Sequence, residues 1–326
     1  MAEGLEFSRV TALGMKDRAF SMPNNTNIPS NVTNDFTASA FSVGNVIYLI
    51  VLITTHCIFL CFVGVMLHVF FINAQFKETS RYVLFIHMVL NDTLHLLLSF
   101  LLYVAFTYNV YMPVPACYLL LALGTSSFRI SPYSLAAMCL ERYVAVCFPL
   151  RHLQLCTLKR SFVAIAVLWM VSLIYYLADF VELYSAVDKK FFSLNVLCKR
   201  VSLTRTLEQG TIVLCEMVIS LPLVGLIITY TYVRVALVAR KISSSKSSAM
   251  KAGKTIMLHL FQLILYLTAF TGYLTESLLK DKTYISIINY FLFTCFPRFL
   301  SLLIYGLRDE AFRKYMFKLC FTGAQR

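Results

Sequence analysis

Few side chains in this 326-residue chain are placed to do chemistry, and those few are charged groups in apolar surroundings. The six histidines are isolated, and no CxxC, HExxH, GxSxG or paired catalytic aspartates occur. Neither metal-ligand spacing nor a nucleophile with its base is therefore on offer, and no metal or cofactor is expected. A different chemistry is suggested by Met138–His152, MCLERYVAVCFPLRH, where an apolar run ends at Glu141-Arg142-Tyr143 and breaks at Pro149 among basic residues. A charged pair at the foot of a hydrophobic helix is costly to desolvate and suits an interface where a partner or a neighbouring carboxylate compensates it. The blander use of the same pair is to anchor the helix at a lipid surface. Three more charges, Asp92, Arg129 and Arg298, stand inside apolar stretches. A mid-membrane arginine costs at least ~2.5 kcal/mol on insertion scales, so each needs a partner or a ligand.

The elements that must position these groups are set by composition. The chain is 59% hydrophobic and 14% charged, with a mean hydropathy of +0.73, whereas a soluble domain carries about 25% charged residues. A net charge of +13 raises nucleic acid as a partner, but the basic residues are scattered between apolar runs with no stripe of stacking aromatics, which sets nucleic acid aside. No charge appears from Val43 to Phe71, longer than the ~20 residues a helix needs to cross hydrocarbon. Further runs follow at Tyr82–Val110, Ala116–Cys139, Ser161–Leu177, Thr211–Val233, Thr255–Leu274 and Tyr284–Gly306. Short polar connections separate them, so the reading is an all-α membrane protein, a bundle of seven spanning helices rather than a barrel. Residues 1–40 form a polar tail with two glycosylation sequons, at Asn24 and Asn31, and without the pattern of a cleaved signal peptide. With this tail outside, 17 Lys and Arg fall on the inner side and 10 on the outer, which favours that orientation.

As a whole, Met138–His152 resembles the end of the third helix of rhodopsin-like G-protein-coupled receptors, and its wording ERYVAVCFPLRH resembles the fish-type odorant receptors. The resemblance extends from roughly the first span to the tail. Asp92 in LNDTLHLL matches the acid of the second helix, Trp169 the tryptophan of the fourth, and Pro222 with Tyr230 the kink and tyrosine of the fifth. KAGKTIMLHL, 251–260, resembles the start of helix six, and PRFLSLLIY, 297–305, the end of helix seven. GLRDEAFRKYMFKLC after it resembles the family's short surface helix, with Phe312, Met316 and Leu319 on one face and Arg313, Lys314 and Lys318 toward headgroups. Cys320 is a palmitoylation candidate or an ordinary cysteine. The chain departs from the family at Val63, usually asparagine, at Leu302, usually proline, and in helix six, which lacks the usual tryptophan and proline.

The resemblance implies a receptor domain at 41–306 and a cytoplasmic interfacial helix and tail at 307–326. It implies a small-molecule odorant bound among the outer halves of the helices and a heterotrimeric G protein at the inner side, in a plasma-membrane bilayer. Arg142 would be held by Glu141 when inactive and released toward the G protein, with Tyr143 beside it and Tyr230 and Tyr305 steadying the opened state. The family's disulfide corresponds to Cys117 and Cys198, of the ten cysteines the two that would face the oxidising side. Helical spacing from Cys117 turns Gly124, Phe128 and Arg129 toward the bundle, with Leu214, Val218, Phe270 and Phe291 as opposite walls. Aromatics at such spacing are more often plain core; as a cavity, which the resemblance implies, they favour a small, largely apolar ligand. Arg129 is expected to pair with Glu216, Asp179 being the other available carboxylate. Many rhodopsin-like receptors hold a sodium ion between the equivalent of Asp92 and a helix-three serine, here Ser131. In this chain Arg298 is expected to bridge directly to Asp92 and replace the ion. The competing readings are a receptor for a non-odorant small molecule, a transporter or channel, and an intramembrane enzyme; no polar pathway of broken helices and no catalytic motif supports the last two.

Overall fold

The chain was analysed as a computed structural model, which describes residues 43–242, 261, 264, 288, 290–308 and 313–315. Five long helices carry the architecture: α1 (Val43–Ile72), α2 (Ser80–Thr107), α3 (Val114–Cys147), α4 (Leu158–Ala186) and α5 (Leu207–Ile242). All five are long and apolar enough to cross a membrane. The chain resumes in the expected seventh span, as a π-helical stretch Tyr290–Cys295 that passes into an α-helix Phe296–Arg308. Nearly all of the expected sixth span, both sequons and Cys320 lie outside the described residues.

The helices outrun the apolar runs that announced them. α3 continues past Cys139 to Cys147, and α4 and α5 both extend at each end. Hydropathy marks only the segment in hydrocarbon, whereas helical hydrogen bonding continues into the interface until a specific signal ends it. Those signals are local. Thr157 caps α4, its hydroxyl accepting from the Arg160 amide at 3.4 Å. Pro149 opens the inner helix Pro149–Leu155 at a position where its missing N–H costs nothing. Asn109, at φ 51°, turns the chain after α2, a conformation that asparagine tolerates better than most residues.

At the end of the bundle where α3 begins, β1 (Tyr111–Pro113) pairs antiparallel with β2 (Asn195–Leu197), Tyr111 lying opposite Leu197. Cys117 is bonded to Cys198, with their Cα atoms 5.3 Å apart. Val114, Tyr118, Leu183 and Leu203 bury themselves around that disulfide as a second, smaller core. The main core lies toward the other end, where Phe59, Met66, Met88, Leu135, Met138, Ile228 and Leu302 interlock. α3 is the central post, packing on α2, α4 and α5. Outward faces such as Met170, Ile174 and Leu177 on α4 are exposed hydrophobics, as lipid-facing surfaces must be.

Polar contacts fix the register between helices whose apolar surfaces alone would slide. Ser80 and Ser161 join α2 to α4 through their hydroxyls, and the Trp169 indole N–H donates to His87 Nε2 at 3.1 Å. Such bonds average about 0.6 kcal/mol within membranes, so their worth is more in alignment than in strength. Residues 313–315 are helical, and Tyr315 sets its ring edge-on to Phe76 of the turn after α1, the centroids 5.7 Å apart. The start of the expected surface helix therefore sits against the inner end of the bundle.

Candidate functional site

Three polar centres are strung along α3, one at each end and one in the middle. At the end away from the disulfide, Glu141 is buried and its carboxylate accepts from His152 Nε2 at 2.9 Å. His152 comes from the helix Pro149–Leu155, so the break at Pro149 folds the chain back beneath its own foot. The expected clasp of Glu141 on Arg142 is not formed: among the described residues the acid's ion-pair partner is His152. Successive residues on a helix point about 100° apart, so Glu141 turns into the bundle while Arg142, half-buried, remains at the surface of this end. Tyr143 lies 6.0 Å from Tyr230 of α5 and 5.7 Å from Phe148, ring centre to ring centre. The foot thus gathers Glu141, Arg142, Tyr143 and Tyr230; the side chain of Tyr305 lies outside the described residues.

In the middle, Ser131 donates to Asp92 Oδ1, and Asn91 Nδ2 donates to the Ser127 carbonyl at 2.8 Å and to Ser131 Oγ at 3.1 Å. The acid and the serine matched from sequence therefore do meet, across α2 and α3. The expected direct Asp92–Arg298 bridge does not form among the described residues. Arg298 is fully buried, at 0% exposure, and lies within electrostatic reach of Asp92. Its Nη1 is directed instead to the carbonyls of Phe293 at 3.2 Å and Thr294 at 2.7 Å, and its guanidinium lies 5.1 Å from the centre of the Phe128 ring. Carbonyls one turn back are local partners, already held within reach by the same segment of chain.

Above this layer stand the residues expected to face a ligand. Phe128 lies between Arg298 and His95, whose ring centre is 5.6 Å away, and the Gly124 carbonyl accepts from His95 Nδ1 at 2.8 Å. A Cβ on Gly124 would meet only Leu98, at an ordinary contact distance of 3.8 Å, so neither packing nor strain demands glycine here. Phe291 joins a different group, with Tyr48 at 6.0 Å and Tyr290 at 5.9 Å. Val218 is overturned as a wall: it is 71% exposed on the outside of α5. An apolar side chain is equally at home in lipid and in a bundle interior, so hydrophobicity could not orient it. The side chain of Leu214 and all of Phe270 lie outside the described residues.

At the end holding the disulfide, Asp179 of α4 is buried and accepts from four donors. The Tyr118 hydroxyl reaches it at 2.9 Å, Arg200 Nη1 at 3.0 Å with Nη2 on the other oxygen, and Gln209 Nε2 at 3.3 Å. This acid was the alternative partner for Arg129, but it is taken by Arg200. Arg129 itself is buried with its guanidinium 5.2 Å from the Tyr176 ring centre and 5.5 Å from that of Tyr175; the side chain of Glu216 lies outside the described residues. Sequence reasoning missed the Asp179 cluster and the Glu141–His152 pair. The available signals were an acid at the outer end of an apolar run and a histidine eleven residues after Glu141.

A buried acid–serine pair in mid-bundle, a charged foot on the central helix and a disulfide tying that helix to the loop between α4 and α5 make up the geometry of the site. Two comparisons agree with that geometry. The profile of the family described as 7 transmembrane receptor (rhodopsin family) matches residues 63–320. The chain is also similar to Odorant receptor 131-2 of Danio rerio, 31% identical over 274 residues that cover 80% of this chain and 82% of the relative. The bundle is therefore a multi-pass membrane fold of the seven-helix class, and this chain belongs to the rhodopsin family of 7 transmembrane receptors.

Proposed function

We propose that the chain is an odorant-type chemoreceptor, which binds a small, largely apolar molecule among its helices and activates a heterotrimeric G protein at the foot of α3. The observation that carries this reading is the similarity to an odorant receptor over most of both chains. The cytoplasmic foot supports it. Arg142 stands half-buried at that surface while Glu141 is engaged by His152, so the arginine is not neutralised by the acid beside it. A ligand acts by binding one arrangement of the bundle better than another. Phe128 and Gly124, next to His95 and directly above the Asp92 layer, are the residues through which we infer that binding reaches the core; Arg129 and Phe291 border the same half of the bundle.

Orientation follows from chemistry. A disulfide persists on the oxidising side of a membrane, so the end carrying Cys117–Cys198 faces outward and the Glu141 foot faces the cytoplasm. On this reading residues 1–40, with Asn24 and Asn31, lie outside the plasma membrane and residues 307–326 inside, flanking the receptor domain at 41–306. The test is ligand-dependent GTP exchange on a purified G protein with the reconstituted receptor, using a panel of small apolar odorants. Exchange by the wild type and its loss in Arg142→Ala, with thermal stability unchanged, is the expected outcome. Ligand-evoked exchange that survives Arg142→Ala at equal receptor density would overturn the role of the foot.

A further inference from the structure

The seventh span passes from a π-helix to an α-helix where a donor is missing. Proline has no N–H and cannot supply the bond to the carbonyl four residues back, here that of Phe293. Pro297 lies in the first turn of Phe296–Arg308, directly after the π-helical stretch Tyr290–Cys295. The side chain of the next residue covers the gap: Arg298 Nη1 donates to Phe293 O at 3.2 Å and to Thr294 O at 2.7 Å. An uncovered carbonyl in hydrocarbon costs several kcal/mol, so something must meet that demand inside the bundle. We infer that Arg298 is a positioning residue that substitutes for the backbone donor Pro297 lacks, and so holds the π-to-α junction of the seventh span in place. The contacts around it are suited to this. The Phe128 ring on α3 lies beneath the guanidinium, and Ser301 donates to the Pro297 carbonyl at 3.0 Å, so both sides of the proline are tied down by side chains. Leu302, where the family usually has proline, is buried in the main core.

The alternative is that Arg298 matters as a charge opposite Asp92, which lies within its electrostatic reach. The two roles separate in a set of variants measured without ligand or G protein, by the yield of monodisperse receptor and its thermal unfolding in detergent. Arg298→Met should lower the unfolding temperature by several degrees or abolish the folded yield. Pro297→Ala returns a backbone N–H to the Phe293 carbonyl, so in that background Arg298→Met should lose most of its effect and recover the yield. Asp92→Asn in the Arg298→Met background should recover little. Arg298→Lys, which keeps a donor and the charge, should fall between wild type and Arg298→Met. An effect of Arg298→Met that is as large with Pro297→Ala as without it, or one relieved by Asp92→Asn instead, overturns the inference.

Discussion

Replacing Asp179 with leucine should loosen the outer end of the bundle, and the structure sets how much. Of its partners, Tyr118 retains an acceptor in the Tyr176 carbonyl at 2.8 Å, and Gln209 retains the Arg205 amide at 2.7 Å on its oxygen. The loss therefore falls on Arg200, which gives up both bonds to the carboxylate, and on the buried Gln209 Nε2, which gives up its acceptor. Removing one member of a buried ion pair costs roughly 3–5 kcal/mol. Arg200 keeps 19% of its side chain exposed, so water recovers part of its solvation and the expected cost is at the low end, about 3 kcal/mol. For large domains that corresponds to roughly 6–12 °C in unfolding temperature. The assay is thermal unfolding of the purified receptor for Asp179→Leu, Arg200→Met and the double variant. Each single variant strands the other partner, whereas the double removes both charges, so it should be more stable than the sum of the single losses predicts. Additive losses, or a loss below about 1 kcal/mol for Asp179→Leu, would show that the cluster is solvated rather than load-sharing.

Three further outcomes are expected. Cys117→Ser with Cys198→Ser removes a link spanning 81 residues and should cost up to about 4–5 kcal/mol in the chain-entropy model; unchanged unfolding temperature would refute a stabilising role. His152→Ala leaves the buried Glu141 carboxylate without that donor and should cost roughly 1–3 kcal/mol, whereas His152→Gln should cost less; equal losses in both would separate the effect from hydrogen bonding. The Cys156 thiol is pushed above its ordinary range by burial and then by Glu141, with Arg160 opposing. It should alkylate more slowly at pH 8 than an ordinary cysteine, because less of it is thiolate, and Glu141→Gln should speed it; an unchanged rate would remove Glu141 as a cause.

What the sequence determined by itself was whatever depends on length, type and local signal. An apolar run long enough for hydrocarbon must be a helix, because nothing else satisfies its backbone there. That made α1 to α5 and the seventh span legible, with ends misjudged only because helices continue past the lipid. The meeting of Asp92 with Ser131 and the pairing of Cys117 with Cys198 were legible through the resemblance to the receptor family, position by position. The choice among partners was left to tertiary structure. Which cation takes which acid depends on how each helix is rotated, and lipid and bundle interior are too alike to orient an apolar helix such as α5, hence the outward Val218. Asp179 took Arg200 because the disulfide brings the loop down with Arg200 two residues after Cys198, and fixes Tyr118 immediately after Cys117. Arg298 took carbonyls of its own helix because Pro297 had left one without its donor. In each case the residue types announced a demand for a partner, and only the packed bundle decided which group was near enough to meet it.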